Sequence, residues 1–174
     1  MSKHLVIING YAGAGKDTFV QMVKDELNER GMTVINLSSI TPVWRLLKAI
    51  ECPMDRKGPA ERKLAADIKA ALDDYDMHAT RMVLRDANRQ MDEWKHVVCF
   101  IHMREPRAID FSIKWWGQAS KKHTLFIDRP QERLAIGNVA DDSVANYAYE
   151  DTITNSGTLE DLQAQAIDYT KKFL

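Results

Sequence analysis

The amino-acid sequence predicts an α/β domain of three layers, in which a parallel sheet of about five strands has helices on both faces. The first observation is a series of short apolar runs: LVII (5–8), TVINL (33–37), VVCFI (97–101), TLFI (124–127) and the weaker DTIT (151–154). The second is that helical segments separate these runs, and strands that alternate with helices form parallel sheets. The third is that the 174 residues contain no repeat, low-complexity segment or linker, so we expect residues 1–174 to form one domain.

The segments between the strands carry signals of helix boundaries. A helix over residues 16–30 should follow the first strand and end before Gly31, a suitable residue for a helix C-terminus. Pro106 stands at the first turn of the helix that follows the third strand. The last helix should begin at Thr158, with Asp161 in a weak form of the capping box.

Residues 41–95 differ from the rest because they offer two or three helices in a row with no strand between them, which predicts a helical insertion on the α/β core. One helical face of this segment is apolar and should pack inward; it consists of Leu64, Ile68, Leu72 and Tyr75. Polar residues fall almost opposite at about 100° per residue, namely Arg62, Lys69 and Asp73. A second apolar stripe consists of Met77, Leu84, Ala87, Met91 and Trp94, and another face carries Arg81, Arg85 and Arg89.

The chain lacks the net positive charge that would attract nucleic acid or an anionic membrane to its surface as a whole. The chain has 24 basic and 25 acidic residues, for a formal net charge of -1. Cys52 and Cys99 lie far apart, and no stretch reaches the roughly eighteen apolar residues that a membrane span needs. We therefore expect a soluble cytoplasmic protein with reduced cysteines and no nucleic-acid or membrane partner, and the sequence leaves a homodimer open.

A nearly complete phosphate-binding loop follows the first apolar run, since residues 10–16 fit the template G-x-x-x-x-G-K-[ST]. Its glycines let the backbone turn tightly and present N–H groups to an anion, and the positive end of the next helix points at the same place. The predicted nucleotide-binding residues of the loop are Gly10, Ala12, Gly13, Ala14, Gly15, Lys16, Asp17 and Thr18. A glycine-rich turn that binds nothing is the alternative, and the position between a strand and a helix disfavours it.

The residue after the lysine departs from the template, which has a magnesium-binding hydroxyl there. Asp17 occupies that position, and the hydroxyl arrives one place late, as Thr18. A carboxylate in the first turn of a helix is favoured by the helix dipole alone, by about 0.3–1 kcal/mol. The functional alternative is that Asp17 and Thr18 support Mg²⁺, because hard oxygen ligands suit that ion.

The segment GYAGAGKDTF resembles the loop of the P-loop small-molecule kinases, and its G-K-D form is similar to that of bacteriophage deoxynucleoside monophosphate kinases and animal-type phosphomevalonate kinases. In those families the residue after the lysine need not carry a hydroxyl. LSSITPVWRLLKAI (37–50) resembles the segment that begins their acceptor site, and VVCFIHMREPRAI resembles their third strand, which ends in an arginine matching Arg104. The tail VANYAYEDTITNSGTLEDL is similar to their last strand, polar turn and helix. The N-K-x-D segment of GTPases and the L-S-G-G-Q signature of ABC proteins are missing.

The resemblance implies a P-loop NTPase fold and the transfer of the ATP γ-phosphoryl group to a (deoxy)nucleoside monophosphate, with ATP and Mg²⁺ as cofactors. It implies that the catalytic residues are Lys16, Arg104 and Arg129 and that Arg104 bridges the donor and acceptor phosphates. The candidates that would draw in the monophosphate are Arg45, Arg62 and Lys69. On composition alone, however, Arg62 and Lys69 are more typical of a solvated helix face.

Two further segments acquire roles from the resemblance. Residues 129–140 would form a short lid in which Arg129 and Arg133 cover the transferred group. The turn TNSG (154–157), which contains Asn155, would lie near the adenine.

The end of the third strand departs from the family pattern. The related kinases often have an aspartate there, whereas the matching residue in this chain is His102. Glu105 is the nearest replacement carboxylate and a substrate-binding candidate, and Asp17 is the second choice. We interpret His102 itself as a structural histidine at a strand end.

Two other functions stay open at this stage. The acceptor of a P-loop kinase can be another small phosphorylated metabolite, as in the phosphomevalonate kinases. Alternatively, the chain is a nucleotide-binding module that regulates a partner and turns over little, which the missing strand-end aspartate encourages.

Overall fold

The computed structural model describes residues 2–53, 58–117, 121–130, 144 and 147–174. Its sheet has five strands: β1 (Ser2–Gly10), β2 (Thr33–Ser38), β3 (His96–His102), β4 (Lys121–Asp128) and β5 (Asp151–Thr154). The strand order is β2-β3-β1-β4-β5, and every neighbouring pair is parallel. The predicted five-stranded parallel sheet is confirmed, and each of the first four strands is longer than its apolar run.

Six helices lie in the part of the chain that the structure describes: α1 (Lys16–Glu29), α2 (Thr41–Ala49), α3 (Pro59–Asp76), α4 (His78–Asp92), α5 (Pro106–Trp115) and α6 (Leu159–Thr170). Helices α1 and α6 pack on one face of the sheet, against Val6 and Ile8 of β1. Helices α4 and α5 pack on the other face, against Leu5 and Ile7. Four consecutive apolar residues of β1 are therefore buried because both faces of the sheet are covered.

The predicted helix boundaries are confirmed. Gly31 follows the end of α1 with φ 75°, a left-handed conformation that glycine adopts without strain. Pro106 is the first residue of α5. At the start of α6 the backbone N–H of Asp161 donates to Thr158 Oγ1 at 3.2 Å, and the N–H of Thr158 donates to Asp161 Oδ2 at 2.8 Å. These two bonds form the complete capping box.

The predicted helical insertion is also confirmed, because α2, α3 and α4 follow one another between β2 and β3. They share a small core in which the buried side chains are Val43, Leu47, Ala65 and Ala79. Trp94, which we expected in the stripe of α4, lies beyond the end of that helix and is exposed.

The orientation of α3 corrects the sequence prediction. Leu64 is exposed and Tyr75 is 84% exposed, although both belong to the face that was expected to pack inward. Lys69 and Asp73, expected on the outer side, are buried. The reason is that the two charges pair with each other and make further bonds inside the protein, which offsets the cost of burying them, whereas Arg62 of the same face is exposed as expected.

The sheet topology determines where a ligand can bind. The neighbouring strands β1 and β3 continue into α1 and α5, which lie on opposite faces of the sheet. In open α/β sheets, ligands bind at such a switch point, beyond the carboxyl ends of the strands. The glycine loop after β1 and the turn at Arg104 after β3 both lie there. Among the described residues, no helix is long and apolar enough to cross a membrane.

Candidate phosphate-binding site

In the loop between β1 and α1, the backbone at Gly10 and at Gly15 adopts a conformation that suits glycine and strains other residues. Gly10 has φ 149° and Gly15 has φ 90°, both outside the usual range of residues with a side chain. A Cβ atom on Gly10 would strike the carbonyl oxygen of Ile127, and one on Gly15 would lie 2.7 Å from Asn155 Nδ2. Strand β4 and the turn after β5 therefore press directly against the loop.

The ammonium group of Lys16 lies over this loop. Its Nζ donates to the carbonyl oxygen of Gly10 at 2.6 Å and to that of Tyr11 at 2.7 Å. No described side chain caps the start of α1, so the first turn keeps its positive end directed at the loop. Backbone amides, a helix N-terminus and a lysine thus meet at one point, which is the arrangement that binds the phosphates of a nucleotide.

Two residues that directly follow β4 and β5 support the loop. Asn155 donates from Nδ2 to the carbonyl oxygen of Ala14 at 3.0 Å, and its own N–H donates to the carbonyl of Asp128 at 2.7 Å. Arg129 donates from a guanidinium nitrogen to the carbonyl of Gly13 at 3.2 Å. The structure therefore brings both residues to the loop. Arg133 and lid residues 131–140 lie outside the described residues.

Asn9 is a site residue that sequence reasoning missed. Its side chain is buried and donates from Nδ2 to the carbonyl of Arg104 at 3.2 Å and to the hydroxyl of Tyr149 at 2.6 Å, while its Oδ1 accepts from the N–H of Gly10 at 2.8 Å. It thus joins the glycine loop to the turn after β3. The available signal was a polar residue at the end of an apolar strand, directly before the motif. Burial raises the pKa of Tyr149 to about 12, so its hydroxyl keeps the proton it donates to the carbonyl of Val144.

His102 connects the ends of β2 and β3 to the first turn of α1. Its Nε2 lies 2.9 Å from Asn36 Oδ1 and 3.5 Å from Asp17 Oδ1. Burial lowers the pKa of His102; the carboxylate of Asp17 opposes this effect, and the positive charges of Lys16 and Arg104 add to it. A neutral ring that donates from Nε2 to Asn36 fits this environment.

The residues present fit a magnesium ion that keeps part of its water. The side chain of Asp17 is 91% exposed at the start of α1, and Thr18 beside it is also exposed. Within the described ranges no group of three or more His, Cys, Asp or Glu side chains could hold a metal alone. One carboxylate and one hydroxyl suit Mg²⁺, which binds proteins through one or two side chains together with water and substrate phosphates.

The structure corrects the expectation for Lys69. A phosphate clamp and a solvated helix face both need an exposed ammonium group, but Lys69 is 3% exposed. Its Nζ lies 2.9 Å from Asp73 Oδ2 and 3.0 Å from Glu105 Oε2. Glu105, the substrate-binding candidate after β3, is therefore tied to the insertion.

Two arginines of the insertion pair with a carboxylate of the same insertion. Arg45 donates to Asp86 of α4 at 3.1 Å, and Asp86 also accepts from Arg89. A groove of about 310 Å³ between α2 and α4 is lined by Pro42, Arg45, Met82, Arg85, Asp86 and Arg89, none of which belongs to the glycine loop. Arg62 is exposed near the start of α3, and Arg104 is exposed directly after β3. Of the predicted cations, Lys16 and Arg129 contact the loop, Arg104 follows β3 and is tied to the loop through Asn9, and Arg45 pairs with Asp86.

Solved structures of kinases share this fold. A thymidylate kinase from Ehrlichia chaffeensis aligns with a TM-score of 0.58 and 10% identity, over 97% of this chain and 99% of that one. An APS kinase from Mycobacterium tuberculosis, in complex with AMPPNP and APS, aligns with a TM-score of 0.56 and 15% identity, over 98% of each chain. The chain therefore has the three-layer fold of the P-loop kinases. No protein-family model matches the sequence, and no curated protein matches it either.

Proposed function

We propose that this protein is an ATP-dependent phosphotransferase that moves the γ-phosphoryl group of ATP to a (deoxy)nucleoside monophosphate. The observation that carries the proposal is the ammonium group of Lys16, which lies 2.6 Å from the carbonyl of Gly10, over the glycine loop and at the start of α1. A cation at that point suits the outer phosphates of a nucleoside triphosphate. The fold, shared with kinases, supports phosphoryl transfer as the reaction.

The donor half of the proposed site is the loop and its supports. Backbone amides of the loop after Gly10 would bind the β- and γ-phosphates of ATP, and Lys16 would bridge them. Arg129, which already contacts the loop at Gly13, would stabilise charge on the transferred group. Asn155 would lie close to the nucleoside as well as supporting the loop.

The acceptor half begins at the turn after β3. Arg104 follows the end of the strand, and its backbone is tied by Asn9 to the start of the loop. A guanidinium group in that place would bridge the donor and acceptor phosphates and so hold the reacting atoms in line. An acceptor that already carries a phosphate is a nucleophile in its ionised form and needs cationic clamps more than a general base.

Magnesium, when bound, would neutralise charge on the donor phosphates. Asp17 and Thr18 would hold it together with water and phosphate oxygens, because their oxygens are exposed at the start of α1. His102, which lies within 3.5 Å of Asp17, would limit the positions that this carboxylate can take. We propose a cytoplasmic location, where ATP and nucleoside monophosphates meet, and the two free thiols are compatible with a reducing compartment.

The test is a coupled assay of ADP release with ATP, Mg²⁺ and a panel of ribo- and deoxyribonucleoside monophosphates. We expect turnover with at least one of them, and phosphomevalonate serves as a non-nucleotide acceptor in the same panel. Tight ATP binding without turnover on any nucleotide would remove this function. Turnover on phosphomevalonate alone would then favour a kinase of another metabolite, and no turnover at all would favour a regulatory module.

Lys16→Ala and Arg104→Ala separate the two halves of the site. The first should reduce turnover by about a hundredfold or more, because it removes the positive charge that would stabilise the transferred γ-phosphoryl group. The second should lower kcat far more than it weakens ATP binding, since Arg104 lies after β3 and not in the loop. Thermal melting of both variants is the control for folding, and an active Lys16→Ala protein would contradict the assigned site.

A further inference from the structure

The buried ammonium group of Lys69 joins two parts of the chain that the proposed reaction needs together. Lys69 belongs to α3 in the helical insertion, whereas Glu105 stands directly after Arg104, at the carboxyl end of β3. Lys69 Nζ lies 3.0 Å from Glu105 Oε2 and 2.9 Å from Asp73 Oδ2, with 4% of the lysine side chain exposed. A buried lysine is retained only where its charge is matched, and here both matching groups are carboxylates.

The two carboxylates are used differently. Asp73 is fully engaged inside the insertion, because it also accepts from the N–H of Thr80 at 2.8 Å and from its hydroxyl at 3.0 Å. The side chain of Glu105, in contrast, is 53% exposed while one of its oxygens is bound by Lys69. Asp73 therefore fixes the lysine, and the lysine fixes one side of a carboxylate that still faces solvent.

The backbone around Glu105 is fixed as well. Its carbonyl oxygen accepts from the N–H groups of Ala108 and Ile109, both at 3.0 Å, in the first turn of α5. The preceding carbonyl, that of Arg104, accepts from Asn9 at 3.2 Å. Lys69 adds to this restraint by holding the side chain of Glu105.

We propose that Lys69 is a positioning residue. It directs the carboxylate of Glu105 at the acceptor and thereby fixes the position of the insertion relative to Arg104. This inference rests on the proposed phosphotransferase function. A carboxylate repels phosphate and accepts hydrogen bonds, so Glu105 would take a donor group of the acceptor, a sugar hydroxyl or a base N–H. The acceptor's phosphate would lie on the side of Arg104 instead.

The kinetic test compares Lys69→Met, Glu105→Gln and the double variant, with the acceptor that the panel identifies. Each single change should lower kcat/KM for the acceptor by about ten- to a hundredfold, because misplacement by about 1 Å can cost a hundredfold. The KM for ATP should stay within about twofold, because Lys69 bonds to Asp73 and Glu105 whereas Lys16 bonds to carbonyl groups of the donor loop. The double variant should be no worse than the poorer single variant, because Lys69 acts through Glu105.

Asp74→Asn is the matched control. Asp74 also joins α3 to α5, through Arg107 at 3.0 Å, but both side chains of that pair are exposed. Loss of this pair should leave kcat/KM for the acceptor unchanged, since exposed ion pairs contribute about 0–1 kcal/mol. Losses that multiply in the double variant, or an equal loss in Asp74→Asn, would overturn the inference.

Hydrogen exchange separates failure of this inference from failure of the proposed function. Wild-type protein without turnover on any acceptor would remove the function. The positioning role is measured independently, because Lys69→Met should speed amide exchange at Ala108 and Ile109, and Asp74→Asn should not. Unchanged exchange would overturn the role of Lys69. Should Lys69→Met fail to fold, exchange is measured in Glu105→Gln, in which the buried pair of Lys69 and Asp73 is intact. Normal exchange and normal acceptor kinetics in Glu105→Gln would also overturn the role of Lys69.

Discussion

Acidification should destabilise the protein through His4, which lies near the start of the central strand β1, at the end of the strand opposite the glycine loop. His4 is 1% exposed, its Nε2 lies 2.7 Å from Ser2 Oγ, and its Nδ1 lies 3.1 Å from His123 Nε2. The ring also packs edge-on against Phe173, with 5.0 Å between centroids. Burial, and then the positive charges of His123 and Lys121, lower the pKa of His4 from 6.5 to about 4.

The direction and size of the effect follow from this pKa. Between pH 6.5 and pH 4 the unfolded chain binds a proton at His4 that the folded protein does not bind. Protonation therefore favours unfolding, and the stability present above pH 6.5 is lost as the pH falls toward 4. The full change corresponds to about 3 kcal/mol, of which about 2 kcal/mol should be lost between pH 7.5 and pH 5.

Thermal melting at pH 7.5 and pH 5 measures this loss. A change of about 2 kcal/mol should lower the Tm of a chain of this size by about 4–8 °C. His4→Gln should melt at a lower temperature at pH 7.5, because it loses packing, but its Tm should fall less on acidification than that of the wild type. His78→Gln is the control, since His78 is partly exposed at the start of α4 and pairs with Asp76 at 3.4 Å. If wild type and His4→Gln lost equal Tm between the two pH values, the assignment of the acid sensitivity to His4 would be refuted.

Three further predictions concern the glycine loop and the thiols. Gly15→Ala should weaken ATP binding in calorimetry by about tenfold or more, because φ 90° strains a residue with a side chain and the new Cβ would displace Asn155 Nδ2 from the loop. Gly31→Ala, where the space is open, should change the Tm and leave ATP affinity unchanged. Asp17→Ser should change the Mg²⁺ concentration needed for half-maximal rate, and an unchanged value would make the carboxylate a helix-end residue only. Cys52 should react with a thiol reagent in the native protein and Cys99 only after unfolding, because burial raises the pKa of the Cys99 thiol to about 12; equal rates would contradict this.

The strands and helix ends were predictable because their causes are local. A run such as residues 97–101 is apolar throughout, since both faces of β3 are covered, and this pattern is readable without any partner. The capping box of Thr158 and Asp161 needs only three residues of separation. Such short patterns can be read from the sequence alone, because the structures they predict do not depend on contacts with distant residues.

The orientation of α3 was not predictable for the opposite reason. A periodicity argument places Lys69 outside and Tyr75 inside, because it assigns each residue type a fixed preference. Lys69 is buried with two carboxylates, and although Asp73 is four residues away, Glu105 lies 36 residues away in the sequence. Likewise, the bond between Asn9 and Tyr149 spans 140 residues, so sequence reasoning found the loop and missed what supports it.

The two halves of the candidate site therefore differ in how the sequence encodes them. The donor half is a continuous loop of nine residues, and its chemistry can be inferred from their order alone. The proposed acceptor half depends on ion pairs between separate elements, since Arg45 of α2 is bonded to Asp86 of α4, and Lys69 of α3 is bonded to Glu105 after β3. A phosphate that bound Arg45 would have to share it with a carboxylate, so the gain in binding free energy would be smaller than for a cation without such a partner. Changes in acceptor choice should therefore arise from exchanges among these ion pairs, at positions that no contiguous motif identifies.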